Sequence, residues 1–356
     1  MGLDLEGWGG EELVIRRDPP TGAWIAIAIH STLRGPAVGG TRIRRYPSVT
    51  DALVDVLRLS GGMTVKNAVA GLPCGGAKAV IAVSRDLKGS EREALLERYA
   101  AMIDSLGGRF DTGPDIGSTE ADMDVIGRVS EHVFCRSLAA GGSGTASPWT
   151  AAGVLSGIRA TLRHRSGSDK LNGQRVLVQG LGEVGGVLIG LLHSAGARLL
   201  LTDADPARVE AAIARFPDAE VVPPDDATTT ECDVFAPCAI GGILNSETIP
   251  GLRCSIVAGA ANNQLLEHAD ADRLRAAGIL YAPDFVINGG GIIRGVGAER
   301  LGWTDALIDA RVEAIGETLE AIYRDSERLD ISTAAAAMQL AQEALTAVHA
   351  IPAGVA

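Results

Sequence analysis

Between Leu59 and Ser84 the only ionisable side chains besides Cys74 are Lys66 and Lys78. They stand among Gly61, Gly62, Met63, Gly71, Pro73, Gly75, Gly76 and Ala77, with no carboxylate nearby in sequence. An amine in apolar surroundings, or beside another cation, has its charged form poorly solvated, so its pKa falls and it can act as a general base near neutral pH. Further on, Asp115 ends the run Asp111-Thr112-Gly113-Pro114-Asp115, after an expected strand and before an expected helix. Loops at the carboxyl ends of strands are where α/β folds carry their chemistry, although an Asp there also suits a turn or a helix cap. A third cluster, Gly180, Leu181, Gly182, Glu183, Val184 and Gly185, spells GxGxxG directly after an apolar run. Its glycines permit a tight turn and close approach of a pyrophosphate to a helix amino terminus. Asp203 follows 18 residues past Gly185. An acid there can accept hydrogen bonds from ribose hydroxyls and would repel a 2′-phosphate, which favours NAD over NADP. Arg208 could accommodate a phosphate only if Asp203 pointed away.

These residues need a scaffold, and the pattern supplies one of alternating strands and helices. Strands are expected at Leu13–Arg17, Trp24–His30 and Gly40–Arg44. Ser48 with Asp51 forms a capping box ahead of a helix carrying Leu53, Val56, Leu57 and Met63. A strand at Ala79–Val83 and helices at Glu91–Leu106 and Glu120–Val129 complete the first half. Gly141, Gly142, Ser143 and Gly144 read as a linker or hinge. Beyond it come a helix over Pro148–His164, strands at Arg175–Gln179, Leu199–Thr202, Val234–Ala236, Ser255–Ala258 and Ile279–Ala282, and helices at Val187–Leu192, Ala207–Arg215 and Ala269–Ala277. From Trp303 the chain reads as helical, with a frayed tail after Pro352. The expectation is an α/β protein of two domains separated by a cleft. An amino-terminal α/β substrate and oligomerisation domain spans residues 1–135, joined by a carboxyl-terminal helix at 331–356. A Rossmann-type NAD-binding domain spans residues 136–330.

The chain has 356 residues, 46% apolar and 21% charged, which excludes wholesale disorder. Its net charge of -12 disfavours nucleic acid and anionic membrane as partners. Apolar runs such as Trp24–Ile29 and Val187–Leu192 are far shorter than the roughly 18 residues of a bilayer span. The start, Met1-Gly2-Leu3-Asp4-Leu5-Glu6, lacks the features of a signal peptide or myristoylation site, so a cytoplasmic location is expected. Five cysteines (Cys74, Cys135, Cys232, Cys238, Cys254) without a CxxC pair, and six histidines without HExxH, suggest buried thiols and no metal centre.

Gly62-Met63-Thr64-Val65-Lys66, Leu72-Pro73-Cys74-Gly75-Gly76-Ala77-Lys78 and Thr112-Gly113-Pro114-Asp115 resemble the substrate-domain motifs of the amino-acid dehydrogenase superfamily acting on glutamate, leucine, valine and phenylalanine. The second half agrees through Gly180–Gly186, Cys238-Ala239, Ala258–Asn263 and Pro283-Asp284, in order over about residues 10 to 330, and phenylalanine dehydrogenases are the most similar branch. The resemblance implies that Lys66 binds the substrate carboxylate, Lys78 is the catalytic base acting through water, and Asp115 handles protons on the amino group. Gly39 and Gly40 would shape the carboxylate end, with Met63, Pro114 and Asn262 also at the substrate. Arg42 and Thr150 would lie along the coenzyme, Asn288 would position the nicotinamide, and Cys238, Ala239, Ala260, Ala261 and Asn262 would line the cofactor. The family usually has glycine where this chain has Ala77. A positive φ there would shift Lys78.

The resemblance places the substrate's side chain against Val38, Gly113, Ile292 and Gly295. Gly113 and Gly295 remove volume, so a large apolar amino acid, phenylalanine first and leucine or valine second, is expected. The products would be a 2-oxo acid and ammonium, and the protein a homo-oligomer. A 2-hydroxy-acid dehydrogenase is disfavoured because no histidine lies in the glycine-rich motifs. A regulatory protein that binds NAD without turnover is the other reading.

Overall fold

The computed structural model describes residues 4–239 and 241–347. The expectation for the tail after Pro352 lies outside them. The chain divides into two compact units. Among the described residues, unit 1 holds 4–145, Gly295–Trp303 and 341–347; unit 2 holds Ala146–Arg294 and Thr304–Leu340.

In unit 1, β1 (Glu12–Arg17), β2 (Trp24–Ser31), β3 (Ala37–Arg44), α1 (Val49–Val69), β4 (Gly75–Ala82), α2 (Gly89–Asp104), β5 (Phe110–Pro114) and α3 (Glu120–Ile126) follow one another. The sheet order is β1-β2-β4-β3-β5. β1 and β4 run antiparallel to β2, whereas β3 is parallel to both β4 and β5. Ser48 caps α1 by accepting the Asp51 N–H. Strand alternation sends Ala77, Ala79, Ile81 and Phe110 into one core with Leu95, Leu96 and Tyr99 of α2. It sends Val80 to the other face, with Ala52, Val56 and Leu57 of α1.

β4 begins earlier than expected, because its glycines let other backbone come close. A β-carbon at Gly75 would lie 1.8 Å from the Ser31 carbonyl oxygen, and one at Gly76 would lie 2.1 Å from the Thr64 nitrogen of α1. Lys78 therefore sits within a paired strand rather than in a glycine-rich loop.

In unit 2, α4 (Ser147–Ser166) leads into β6 (Arg175–Gln179), α5 (Glu183–Ser194), β7 (Arg198–Thr202), α6 (Pro206–Arg215), β8 (Glu220–Val221), β9 (Val234–Pro237), β10 (Ile256–Val257), α7 (Ala269–Ala276), β11 (Leu280–Tyr281) and α8 (Asp284–Ile287). The sheet is parallel throughout, ordered β11-β10-β9-β6-β7-β8. Strand order reverses between β9 and β6, the place where doubly wound sheets open a crevice at their carboxyl ends. α9 (Gly290–Glu299), α10 (Asp305–Glu313), α11 (Ile315–Leu329) and α12 (Thr333–Thr346) follow.

The units depart from the expected limits of 1–135 with 331–356. The first division falls after Thr145, and Gly295–Trp303 return to unit 1, where Arg300 binds both oxygens of the buried Asp111. Residues 331–340 stay with unit 2, where the Thr333 hydroxyl donates to the Tyr281 carbonyl. No described helix is long and apolar enough to cross a membrane.

Candidate active site

Lys78 lies on β4, and the register of β3 against β4 and β5 sets Gly40 beside it and pairs Gly40 with Gly113. All three point to the α1 face of the sheet. A β-carbon at Gly40 would stand 3.3 Å from Lys78 Nζ and 2.9 Å from Asp115 Cβ, so the glycine keeps space open over both groups. Gly39 points the other way, and its missing side chain lets β3 approach the Ala77 carbonyl, which a β-carbon would meet at 1.7 Å.

Lys78 is 6% exposed, and its Nζ lies 3.2 Å from Asp115 Oδ2. No carboxylate lies near Lys78 in sequence, and the end of β5 brings one from a distant part of the chain. Ala77 is not among the described residues with positive φ and is wholly buried in the α2-side core, so a side chain fits there without disturbing Lys78. Lys66 occupies the last turn of α1, half-buried, as is Met63 one turn earlier. Between them and the sheet, Asn67 donates to the carbonyls of Val38 and Gly75 at 3.2 and 2.6 Å, fastening the end of α1 over β3 and β4. Asn67 was missed by sequence reasoning; its signal was a polar residue following Ser60 and Thr64 on the buried stripe of α1.

Asp115 follows Pro114, and Ser118 holds the turn: its hydroxyl accepts the Asp115 N–H and donates to the Thr41 carbonyl. Burial alone would raise the pKa of Asp115, but the Lys78 and Arg42 charges and their hydrogen bonds lower it from 3.8 to about 2. Arg42, expected along the coenzyme, is tied to two carboxylates of unit 1. It is 5% exposed in unit 1, with Nε 2.8 Å from Asp115 Oδ2 and Nη1 2.9 Å from Asp55 Oδ2. A buried guanidinium shared between two carboxylates is committed to orienting them. Asp55, held also by Tyr46 and Arg58, ends this chain of charges and was not foreseen.

The room that Gly113 and Gly295 were expected to leave for a large substrate is taken by Phe134. β-Carbons at Gly113 and Gly295 would lie 2.5 Å and 2.7 Å from ring atoms of Phe134. The space the two glycines leave is filled by the protein's own aromatic ring. Val38 is buried beside them on β3, and Ile292 is half-buried on α9 in unit 2.

In unit 2 the GxGxxG loop leaves β6 at the switch point. Gly180 has φ +97°, and a β-carbon there would meet Ala239 at 2.7 Å; one on Gly185 would stand 1.9 Å from the Gly180 carbonyl oxygen. Gly182 caps α5 without a side-chain hydrogen bond, leaving the helix amino terminus to backbone donors. Leu181 and Gly185 are buried, Val184 is half-buried, and Glu183 accepts from Ser147. Asp203 accepts the N–H groups of Leu181 and Asp205 at 2.6 and 2.8 Å. Its burial opposes ionisation, but these bonds and Arg208 lower its pKa. Arg208 Nη1 is 3.7 Å from Asp203 and its Nε 3.6 Å from Asp205, so the acid is turned toward the loop.

Cys238 follows β9, and its N–H donates to the Gln179 carbonyl. Asn288 Nδ2 donates to Asn262 Oδ1 and the Ala260 carbonyl, gathering these residues past β10, with Ala261 buried and bonded to the Pro237 carbonyl. Gln264, missed in the sequence, ties the same turn by donating to Gly259 and Ala261. Thr150 lies in the first turn of α4, against Gly291. Gln179 Oε1 and Thr202 Oγ1, at the ends of β6 and β7, are buried without a hydrogen-bond partner. Orphan polar atoms, open helix donors and an ionised ribose-level acid fit NAD. Among the described residues no cluster of potential metal ligands occurs.

Residues 21–132 match the Glu/Leu/Phe/Val dehydrogenase, dimerisation domain, and residues 141–203 and 201–350 match the Glutamate/Leucine/Phenylalanine/Valine dehydrogenase family. The chain is 42% identical over 339 residues to leucine dehydrogenase of Geobacillus stearothermophilus, covering 95% of this chain and 91% of that one. It is 40% identical over 344 residues to valine dehydrogenase of Streptomyces albus, covering 96% and 94%. The crystal structure of L-tryptophan dehydrogenase from Nostoc punctiforme superposes with a TM-score of 0.82 at 39% identity, covering 98% and 99%. With both family regions matched in order over most of its length, the chain belongs to the Glu/Leu/Phe/Val family of amino-acid dehydrogenases.

Proposed function

We propose that this protein catalyses NAD-dependent oxidative deamination of an apolar aliphatic L-amino acid, leucine or valine in preference to phenylalanine. The observation that carries the reaction is the buried Lys78–Asp115 pair beneath the space kept open by Gly40. Leucine and valine dehydrogenases among the relatives, and the Phe134 ring in the room left by Gly113 and Gly295, support the aliphatic choice over the phenylalanine first expected. In balance, R–CH(NH₃⁺)–COO⁻, NAD⁺ and water give R–CO–COO⁻, NH₄⁺, NADH and a proton.

In this reading Lys66 holds the substrate carboxylate as a fixed cation. Asp115 holds the substrate ammonium by charge; a carboxylate at about 2 is too weak a base to retain its proton. Lys78, whose Nζ sits on Asp115, first releases its own proton to solvent, takes this one as the amine, and passes it to solvent before water attacks. The dinucleotide, held by the Gly180–Gly185 loop with Asp203 at the ribose, supplies the hydride acceptor. The substrate is left as an imine, and Lys78 takes a proton from water as the water oxygen bonds to the imine carbon. The proton held by Lys78 and the new hydroxyl proton pass to the nitrogen as the C–N bond breaks, and ammonium leaves. The turned-in Asp203 disfavours a 2′-phosphate. The dimerisation-domain match supports a homo-oligomer.

Absorbance at 340 nm with NAD⁺ or NADP⁺ and a panel of L-amino acids tests the reading. Growth with NAD⁺ and leucine or valine is expected, and Lys78→Ala should lower kcat by about 10²–10⁴-fold. NAD⁺ binding without reduction on any amino acid would show a sensor instead, and near-normal turnover by Lys78→Ala would remove the lysine from the chemistry.

A further inference from the structure

Phe134 reaches its place by an unusual route. The Thr112 N–H donates to the His132 carbonyl and the Phe134 N–H to the Thr112 carbonyl, so residues 132–134 run beside β5 as a short added strand. This sets the Phe134 ring against Gly113, the register partner of Gly40, on the face that bears Lys78. The ring is thus a wall of the space next to the Lys78–Asp115 pair.

The next residue, Cys135, is buried with φ +55°, a left-handed conformation that is strained for a residue other than glycine. Glu299, at the end of α9, holds it there. One carboxylate oxygen, Oε1, accepts the Cys135 N–H at 2.6 Å, the Ser143 N–H at 2.9 Å and the Ser143 hydroxyl at 2.5 Å. Gly295, one turn earlier on the same helix, lies against both the Phe134 ring and Cys135 Sγ. The helix segment that receives the ring therefore also carries the carboxylate that locks the backbone behind it.

We propose that Phe134 is a built-in size limit on the substrate side chain, and that Glu299 is a positioning residue that keeps it in place through Cys135. The inference rests on the reading of Lys78 and Asp115 as the amino-acid site. It goes beyond that reading in assigning selectivity to a residue of the chain that fills the room of two glycines.

The test compares kcat/KM for L-leucine and L-phenylalanine, together with the rise in Tm each amino acid produces in the presence of NADH. Phe134→Leu, which keeps most of the packing, and Phe134→Ala should both raise the phenylalanine-to-leucine ratio, by about ten-fold or more for the smaller side chain. Glu299→Ala should move the ratio the same way, and Glu299→Gln, which retains an accepting oxygen, should restore it. A ratio within two-fold of wild type in Phe134→Leu would overturn the size limit, whether or not Phe134→Ala folds. A shift in Glu299→Ala that Glu299→Gln fails to rescue would overturn the positioning role. Failure of the wild-type protein to turn over any amino acid sinks the functional reading alone. The Tm readout then decides the proposal: a phenylalanine-selective gain in Phe134→Leu supports it, and no gain overturns it.

Discussion

A carboxylate buried between two cations is a sensitive reporter of its surroundings, and Asp115 is placed that way by Lys78 and Arg42. Its ordinary pKa of 3.8 is lowered to about 2 in the folded protein. A depressed acid contributes stability that is fully present above the unfolded value, near pH 4, and is lost as pH falls through about 2. Arg42→Lys keeps one charge but cannot bond Asp115 and Asp55 together as the guanidinium does. The Asp115 pKa should then rise, and the acid pH at which stability is lost should move up by about one pH unit. Acid unfolding of the variant against wild type checks this; an unmoved midpoint would mean that Arg42 has no hold on Asp115.

At the scale of elements, both candidate sites depend on backbone approaching backbone. The amino terminus of α5 can face a pyrophosphate only because Gly185 lets the helix close onto the Gly180 carbonyl. In Gly185→Ala the added carbon cannot be accommodated at 1.9 Å, so the loop or the helix must move. The KM for NAD⁺ should rise about ten-fold or more, with a smaller change in the KM for the amino acid. Steady-state kinetics with each substrate varied in turn reads both constants, and equal changes in the two would assign the glycine to general stability. The fold at this level was largely legible in the chain. The spacing of Gly180, Gly182, Gly185 and Asp203 around an apolar strand specifies a βαβ unit, and Ser48 with Asp51 marks the start of α1. The early start of β4 was not legible, because Gly75 and Gly76 read locally as loop residues. Only their packing against Ser31 and Thr64 makes them strand.

For the molecule as a whole, the path of the chain matters more than any one element. Residues 295–303 join unit 1, where the Arg300 guanidinium grips Asp111 on β5 and donates to the Glu131 carbonyl. Asp111 is 3% exposed and is also met by His132. Removing the arginine leaves a buried carboxylate short of its main partner, a change that costs about 3–5 kcal/mol. Arg300→Met should therefore lower the urea midpoint of unit 1 markedly while leaving NAD⁺ affinity, a property of unit 2, within two-fold. Urea unfolding and dinucleotide titration on the same preparation separate the two effects.

Read alone, the chain of residues determined the layered α/β plan, the dinucleotide loop with its acid, and the identity of the lysines and aspartate worth testing. These depend on dihedral preference and on periodicity over a few residues, which neighbouring side chains already encode. Tertiary structure alone decided which groups those residues meet. Arg42 binds Asp115 across 73 positions, and Phe134 fills the gap between Gly113 and Gly295. A glycine announces that a side chain is missing; whether the vacancy is open to a substrate or taken by another residue depends on how close packing brings distant segments together.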